Sequence, residues 1–425
     1  MEQVGARLRR WRVRRGLSQR VLAELAGFSQ GYVAQIENGA APLERRAARE
    51  ALARALQISV GELTGRPEDS TPTSPVGATA IAGLRAGIVA LSMPGFRGGD
   101  AQTVSGGEQP LVSGGDEPPS AGVDTTLLVR HYAACRYDLL VPALAGALVT
   151  LAARSIARAH PGGVAQAGGV AQAGGVGQAG GVGHLRSVVK VCATTVATCV
   201  QLGHPDLALA PAGVAVRAAE ALGEPAYLGL ANYARIRAVG AVAGVERIAD
   251  EGIERLGPHA GSDPVTAGVY GMHHLIRAEM AARAGMTLVA AAHLDEAEAV
   301  AGHTGERPDD WFSFGPTNVE MWRLAVLVAL GDGLAARTPP SGFRPDALPS
   351  AQRRATYFID LARALLQGRG REDAAAAALY RAEMIAPQQV CASDGAREAL
   401  RTLLSRPRYG RDGRVRGLAA RAGIR

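Results

Sequence analysis

Two glutamine side chains with small residues between them are the groups in this chain best suited to recognise a base. The outward positions of a helix predicted over residues 30–38 are Gln30, Gly31, Ala34 and Gln35. A carboxamide can donate to and accept from an adenine edge at once, and small neighbours let the helix backbone enter a major groove. The spacing therefore predicts a surface that reads DNA bases.

Two short helices must position that surface. Ser18 can cap a helix over residues 19–26, and Gly27 can end it in a left-handed conformation. Ser29 can cap the second helix in the same way. Leu22 and Leu25 are predicted on the apolar side of the first helix, and Val33 and Ile36 on the second face inward with Leu22. The pattern predicts two helices around a tight turn.

Residues 4–65 resemble the lambda-repressor and Cro type of helix-turn-helix protein, usually called the XRE family. The matching segments are GLSQ at 16–19, LAE at 22–24, AG at 26–27, IENG at 36–39 and ALQISVGELTG at 55–65. The resemblance implies a five-helix DNA-binding domain. Helical hairpins with this apolar spacing also occur in proteins that bind no nucleic acid, so spacing alone leaves both readings open; the run of matching residues favours DNA binding.

The resemblance also implies roles for individual residues. In that family, the glutamine that corresponds to Gln19 bonds a phosphate and also braces a second glutamine, which reads a base. Gln30 corresponds to that second glutamine. The pair Arg12 and Glu37 matches a structural salt bridge, and Asn38 matches an asparagine near a phosphate. The residues expected to contact DNA are Gln19, Ser29, Gln30, Gly31, Ala34, Gln35 and Asn38.

One departure from the family lies after the second helix. Family members often carry basic residues there, whereas this chain has Ala40, Ala41 and Pro42. Arg45 and Arg46 follow and could supply the missing phosphate contacts.

Charge agrees with a nucleic-acid partner. Residues 1–65 hold 11 Arg against 6 acids, and the whole chain has a formal net charge of +7. The end of the chain from Arg401 holds 8 Arg against one acid, Asp412. This end could add nonspecific DNA affinity, but we favour a solvated, disordered tail over residues 406–425.

Neither a metal site nor an enzyme is expected. The cysteines lack CxxC spacing, which predicts small core residues rather than zinc ligands at Cys135, Cys192, Cys199 and Cys391. His273 and His274 are adjacent, so on a helix they point about 100° apart and cannot share one ligand. The chain has no GxxxxGK[ST], HExxH or GxSxG motif and no sign of a cofactor.

A cytoplasmic protein bound to the nucleoid is expected. Charges recur from Glu2 to Arg15 with no apolar core between them, so no signal peptide is predicted. The longest apolar run, residues 139–153, contains Pro142 and is too short to cross a bilayer. Lys190 is the only lysine among many arginines, a composition typical of GC-rich genomes such as those of actinobacteria.

The composition divides the chain into segments. A DNA-binding domain over residues 1–65 precedes a linker, residues 66–123, that contains a short helix at 78–93. A helical domain over residues 124–405 follows, before the basic tail. Within it, residues 162–183 repeat GGVAQA, and their glycines predict a loop insertion rather than a helix.

The helical domain carries a loose repeat. Its predicted turn glycines, 37 to 46 residues apart, are Gly203, Gly240, Gly285, Gly331 and Gly370. Helical hairpins of that size stack into a solenoid, as in tetratricopeptide repeats, although the consensus Trp and Tyr pattern is missing. The expected fold class is all-α: a five-helix lambda-repressor-like domain plus a TPR-like α-solenoid.

An aromatic cluster lies in this domain. Residues 309–332 and 381–390 resemble the sensor-like C-terminal region common in actinobacterial XRE regulators, which implies that Pro316 opens a helix. The cluster consists of Trp311, Phe312, Phe314 and Trp322, with Asn318 and His303 as the polar candidates nearby. It could line a ligand pocket or anchor a loop; we favour the anchor, because a pocket also needs convergent polar groups.

These features predict a sequence-specific transcriptional regulator. A homodimer would bind a near-palindromic duplex operator, and the TPR-like domain would mediate dimerisation and sense a small molecule, peptide or protein. The alternative is a DNA-tethered scaffold whose TPR-like domain captures a peptide or protein. An enzyme is a third possibility that no motif supports.

Overall fold

The computed structural model describes most of the chain. The described residues are 4–14, 17–41, 43, 46–56, 63, 76–93, 123–159, 174–240, 244–307, 310–332, 343–347, 350–368, 370–410 and 412–424. Every regular element within these ranges is helical. The all-α prediction is therefore confirmed for this part of the chain.

The described helices are α1 (Val4–Arg14), α2 (Gln19–Ala26), α3 (Gln30–Glu37), α4 (Arg46–Leu56), α5 (Ala78–Ser92), α6 (Thr125–Ala133), α7 (Tyr137–Ala159), α8 (Gly174–Gln201), α9 (Leu209–Leu222), α10 (Pro225–Val239), α11 (Val245–Leu256), α12 (Pro264–Arg283), α13 (Thr287–Thr304), α14 (Pro316–Leu330), α15 (Ala351–Leu366), α16 (Glu372–Ile385), α17 (Pro387–Ala392), α18 (Asp394–Leu404) and α19 (Gly413–Arg421). Short 3₁₀ turns lie at Pro205–Ala208, Gly257–His259 and Pro345–Ala347. The helices form two compact units. The first comprises Met1–Ala78, Ala281–Ala290 and Thr317–Arg425, and the second comprises Thr79–Met280 and Ala291–Pro316.

The N-terminal domain in the first unit has its own apolar core. Helices α1 to α4 bury one stripe each, and the fully buried residues include Leu8, Leu22, Val33 and Leu52. The prediction that Leu25 lies on the apolar side of α2 is wrong: it is 61% exposed, because the buried face of α2 is formed by Leu22 and Ala23. The fifth helix expected here falls outside the described residues except for Leu63, which is helical and buried.

A second core in the first unit, which we call the C-terminal core, includes residues of α14, α15, α16, α18 and α19. Its largest buried members include Tyr357, Phe358, Leu379, Leu400 and Leu418. The prediction of a disordered tail is wrong for residues 412–424, because α19 buries Leu418 and its neighbours in this core.

Helix α5 belongs to the second unit rather than to a linker. A Cβ at Gly87 would lie 3.0 Å from the backbone oxygen of Ala145 and 3.1 Å from Cβ of Leu148, so α5 and α7 pack closely there. The sequence predicted this helix over residues 78–93 but not its partner. The rest of the predicted linker lies outside the described residues, apart from 76, 77 and 123.

Helix α7 is longer than the apolar run that predicted it. Its segment Tyr137–Ser155 has 19 residues and is long and apolar enough to cross a membrane by length and composition alone. The expectation that this region is too short is therefore wrong. Its buried residues include Leu140, Leu144, Leu148 and Leu151, spaced as on one helix face, and a soluble core helix meets the same test.

The glycine-rich repeat is partly helical. Helix α8 begins at Gly174, so the loop predicted over residues 162–183 is wrong for its last ten residues, and 162–173 lie outside the described part. Residues further along α8 are fully buried, including Val189, Val191 and Cys192. Because helix propagation is far easier than nucleation, this packed segment can extend into glycines that would not form a helix alone.

The predicted turn glycines do lie at helix ends. Their φ angles are positive, at 81° for Gly203, 65° for Gly240, 72° for Gly285, 80° for Gly331 and 72° for Gly370. Glycine adopts this conformation without the steric penalty of a side chain. The hairpin spacing is thus present, and its assignment to a TPR-like solenoid stays a prediction.

Candidate nucleic-acid interface

Two serine caps define the helices that carry the predicted surface. The backbone N–H of Val21 donates to Oγ of Ser18 at 3.2 Å, and the N–H of Tyr32 donates to Oγ of Ser29 at 3.2 Å. Helix α2 has its predicted bounds, whereas α3 ends one residue early because Asn38, with φ −88° and ψ 0°, caps it.

Gly27 makes the tight turn between these helices. It has φ 73° and ψ 31°, and its N–H donates to the carbonyls of Ala23 and Glu24. The N–H of Phe28 also donates to the Ala23 carbonyl, at 2.8 Å. The turn thus satisfies carbonyls that the end of α2 leaves open.

We expect Gly27→Ala to destabilise the N-terminal domain by about 1–2 kcal/mol, the cost of a left-handed conformation in a residue with a Cβ. Gly31→Ala is the matched control, because its Cβ also meets open space but its backbone is helical. Hydrogen exchange of α2 and α3 in the full chain measures both changes. Equal effects of the two variants would contradict the argument.

Helix α3 presents the predicted residues to solvent. Val33 and Ile36 are buried inward, whereas Gln30, Gly31 and Gln35 are exposed and Ala34 is half-buried. We call Ser29, Gln30, Gly31, Ala34 and Gln35 the reading surface. Nothing lies within 4 Å of a Cβ built at Gly31, so packing does not require glycine there. The space is free for a close partner.

An ion pair at the end of α3 connects the first three helices. Arg12 on α1 donates from Nε to Glu37 Oε1 at 2.6 Å and from Nη2 to Oε2 at 2.9 Å. Its Nη1 donates to the carbonyl of Leu17 at 2.9 Å. The Glu37 side chain is 1% exposed and that of Arg12 is 13% exposed. This is the pair expected to be structural.

Gln19 completes this network from α2. Its Nε2 donates to Glu37 Oε2 at 2.8 Å, so in this structure it braces Glu37 rather than Gln30 as the resemblance implied. Burial opposes ionisation of Glu37, but the hydrogen bonds from Arg12 and Gln19 outweigh burial and lower its pKa. The carboxylate therefore stays charged and fixes α3 relative to α1 and α2.

Exposed arginines lie on the first two helices of the N-terminal domain. Arg9 and Arg10 on α1 and Arg20 on α2 are exposed, and Asn38 is exposed at the end of α3. Such groups attract phosphates without regard to sequence. Pro42, Arg45 and the side chain of Arg46 lie outside the described part, so the suggested replacement for the missing basic loop remains a prediction.

The aromatic cluster in the second unit has separate partners for each ring. Phe314 is fully buried against α12, where a Cβ at Gly271 would lie 2.2 Å from its Cζ. Trp311 meets Tyr227 edge-on with centroids 5.0 Å apart, and Phe312 meets Tyr233 at 4.6 Å. These contacts favour the loop-anchor alternative over a shared pocket.

The sequence did not indicate the partners of this loop. Nζ of Lys190 on α8 lies 5.7 Å from the Trp311 ring centroid and 5.8 Å from that of Tyr227, within cation–π range. Desolvation and nearby Arg186 lower the pKa of Lys190. Pro316 opens α14 as expected, Asn318 is buried on that helix, and Trp322 is half-buried.

The two adjacent histidines have different partners, as their helical spacing predicted. His273 Nδ1 lies 2.9 Å from the Val269 carbonyl, and Nε2 lies 3.2 Å from Oδ1 of Asn232. His274 Nδ1 lies 3.0 Å from Nδ1 of His293. Among the described residues, no group of three His, Cys, Asp or Glu side chains is placed to hold a metal ion.

These histidines predict acid sensitivity. Burial lowers the pKa of His273 and of His274 to about 4, from 6.5. The unfolded chain binds more protons between those values, so the free energy of unfolding should fall as pH is lowered from 6.5 towards 4, by on the order of 3 kcal/mol for each histidine. Urea unfolding at about pH 4.5 and about pH 7 tests this. His303→Gln, at an exposed position, should keep the wild-type slope.

Comparison with known proteins supports the N-terminal assignment. Residues 3–64 match a family described as a helix-turn-helix domain. Neither the curated proteins nor the solved structures give a match to the chain. The chain therefore carries an N-terminal helix-turn-helix domain, a DNA-binding fold, followed by further helices.

Proposed function

We propose that this protein is a sequence-specific transcriptional regulator that acts on DNA inside the cell and reads duplex DNA with α3. The observation that carries the proposal is the reading surface itself. Its two exposed carboxamides, Gln30 and Gln35, lie beside an open position at Gly31. The helix that carries them is held in place by its capping residues and by an ion pair. A major groove admits such a helix, and a carboxamide matches an adenine edge.

The remaining predicted contacts divide into two kinds. Ser29, Gly31 and Ala34 would let the helix approach the bases, and exposed Asn38 would lie near a phosphate. For Gln19 we keep the proposal of a phosphate contact, made while its Nε2 remains bound to Glu37. The amide nitrogen has two N–H groups, so the second one can donate to a phosphate oxygen, and the positive charge of neighbouring Arg20 adds to the attraction.

We further propose that the protein acts as a homodimer. Helix α3 has 8 residues and spans only about 12 Å, enough for few base pairs. Two copies about 34 Å apart would read a near-palindromic operator. The helical remainder would hold the dimer and respond to a small molecule, peptide or protein, shifting DNA affinity by a few kcal/mol.

Selection of bound genomic fragments at about 150 mM salt tests this function, because sequence-independent binding weakens steeply with salt. We expect full-length protein to enrich an inverted-repeat motif. Gln30→Ala and Gln35→Ala should each lose about 1–3 kcal/mol of discrimination at the bases they contact. Gln388→Ala, on α17, is the matched control and should leave the motif unchanged.

Weak binding without a motif, unaffected by either substitution, would overturn the proposal. That result would favour the DNA-tethered scaffold, in which the helical domain captures a peptide or protein and the N-terminal domain only supplies localisation.

A further inference from the structure

Helix α19 has two packed faces. Val415, Leu418, Ala419 and Ala422 are all buried in the C-terminal core. At about 100° per residue these four positions fall within an arc of about 100°. One side of α19 is therefore an integral part of that core.

Polar contacts hold α19 in the same place. Oδ1 of Asp412 accepts from the backbone N–H groups of Arg414 and Val415, at 2.8 and 3.0 Å. Arg421 forms an ion pair with Glu383 on α16, with Nη2 2.6 Å from Oε2. The cap fixes the start of α19, and the ion pair with Glu383 together with the buried face makes α19 move with the helices of the C-terminal core.

The opposite side of α19 meets the N-terminal domain. Ala420 packs against the core that contains Leu8 and Trp11, and α19 lies in contact with α1. Ala420 lies about 140° around the helix from Val415. Ala420 is small, so the two helix backbones can approach closely at this position.

Helix α1 in turn holds α3. A Cβ at Gly5 would lie 2.1 Å from the carbonyl oxygen of Ile36, which shows how closely α1 crosses the end of α3. Arg12 adds the ion pair to Glu37 on the same helix end. A displacement of α1 must therefore shift or strain α3.

We propose that α19 is a coupling helix through which the C-terminal core sets the position of the helix-turn-helix. The contacts run from the C-terminal core through the buried face of α19, across Ala420 to α1, and from α1 to α3. A partner or ligand that rearranges the C-terminal core would reach the reading surface by this route, without touching the N-terminal domain.

The sequence of α1 makes a cation at this contact unfavourable. Helix α1 carries five arginines among 11 residues, and a further cation placed at Ala420, which packs against the N-terminal core, would be repelled by them. We expect Ala420→Arg to separate α19 from α1 while leaving the C-terminal core intact, because the position is only half-buried and arginine is a good helix former.

Hydrogen exchange in the full-length protein tests the coupling without DNA. Leu400→Ala loosens the C-terminal core at a fully buried position far along the chain from α1. We expect it to speed amide exchange in α1 several-fold. In the Ala420→Arg background α1 should already exchange faster, and Leu400→Ala should add nothing further. Arg416→Ala, at an exposed position of α19, is the control and should leave α1 at the wild-type rate.

Two results would overturn the inference. One is that Leu400→Ala leaves exchange in α1 unchanged; the other is that it speeds exchange equally with and without Ala420→Arg. The inference deepens the proposed regulation, but this readout needs no operator, so its failure is distinguishable from a failure of the proposed DNA reading.

Discussion

Glu37→Ala is expected to destabilise the N-terminal domain by about 3–5 kcal/mol, the usual cost of leaving a buried charge without its partner. The change removes both carboxylate acceptors of Arg12 and the acceptor of Gln19 in one step, and leaves Arg12 only the carbonyl of Leu17. Urea unfolding of the full chain, with hydrogen exchange to localise the transition to α1, α2 and α3, measures the loss. DNA affinity should fall with it, because α3 loses its connection to the other two helices.

Two further variants separate charge from shape. Glu37→Gln keeps the size of the side chain and one acceptor oxygen, so we expect a smaller loss. Glu24→Ala, an exposed acid on α2, should change stability by less than about 0.5 kcal/mol. A cost for Glu37→Ala no larger than that of Glu24→Ala would refute the structural role of the ion pair.

The same network predicts a pH dependence in the acid range. The pKa of Glu37 is lowered from 4.5 by its hydrogen bonds to Arg12 and Gln19, which outweigh the opposing effect of burial. The stabilisation it supplies is thus complete above about 4.5 and is lost as pH falls through the lower, folded-state pKa. Glu37→Gln should flatten this part of the stability profile.

Phe314→Ala is expected to destabilise the second unit by about 3–5 kcal/mol, the usual cost of removing a buried aromatic ring. The ring is fully buried against Gly268 and Gly271 of α12, and at Gly271 the backbone and the ring are too close for any side chain. Because each glycine offers no side chain to refill the space, little relaxation is possible. Urea unfolding followed by hydrogen exchange of α12 reports the loss.

A double variant tests the fit between ring and helix. Gly271→Ala alone should be destabilising, since its Cβ would lie 2.2 Å from Cζ of Phe314. In the Phe314→Ala background the same methyl group should instead fill part of the cavity and recover stability. Phe312→Ala, whose ring is only half-buried beside Tyr233, should cost less than Phe314→Ala. Simple additivity of the two changes at positions 271 and 314 would show that they do not share a cavity.

Local chemistry made the helix-turn-helix readable from the sequence. Ser18, Gly27 and Ser29 act on backbone groups within three or four residues, so their spacing alone predicted where α2 and α3 begin and where α2 ends. The turn glycines of the helical domain were predictable for the same reason. Each must adopt a positive φ whatever packs around it.

The errors arose where distant residues decide the structure. Residues from position 406 looked like a solvated basic tail, yet Arg408 and Arg421 pair with Asp373 and Glu383, 35 and 38 residues earlier. Helix α5 lacked a visible partner because α7 lies beyond a long low-complexity segment. The packing site of Phe314 could not be predicted from the sequence. Two glycines on a helix, here Gly268 and Gly271, can indicate flexibility as readily as a space for an aromatic ring.

The entry of the GGVAQA repeat into helix α8 has a consequence for changes in repeat number. Gain or loss of one six-residue unit inside a helix rotates everything on one side of it by about 600°, or one turn and two-thirds of the next. Three units, 18 residues, complete about five whole turns and restore the original angular phase. Three units inserted after Gly174, within α8, should therefore keep the helix faces on either side of the insertion aligned, whereas one or two inserted units should turn them out of phase.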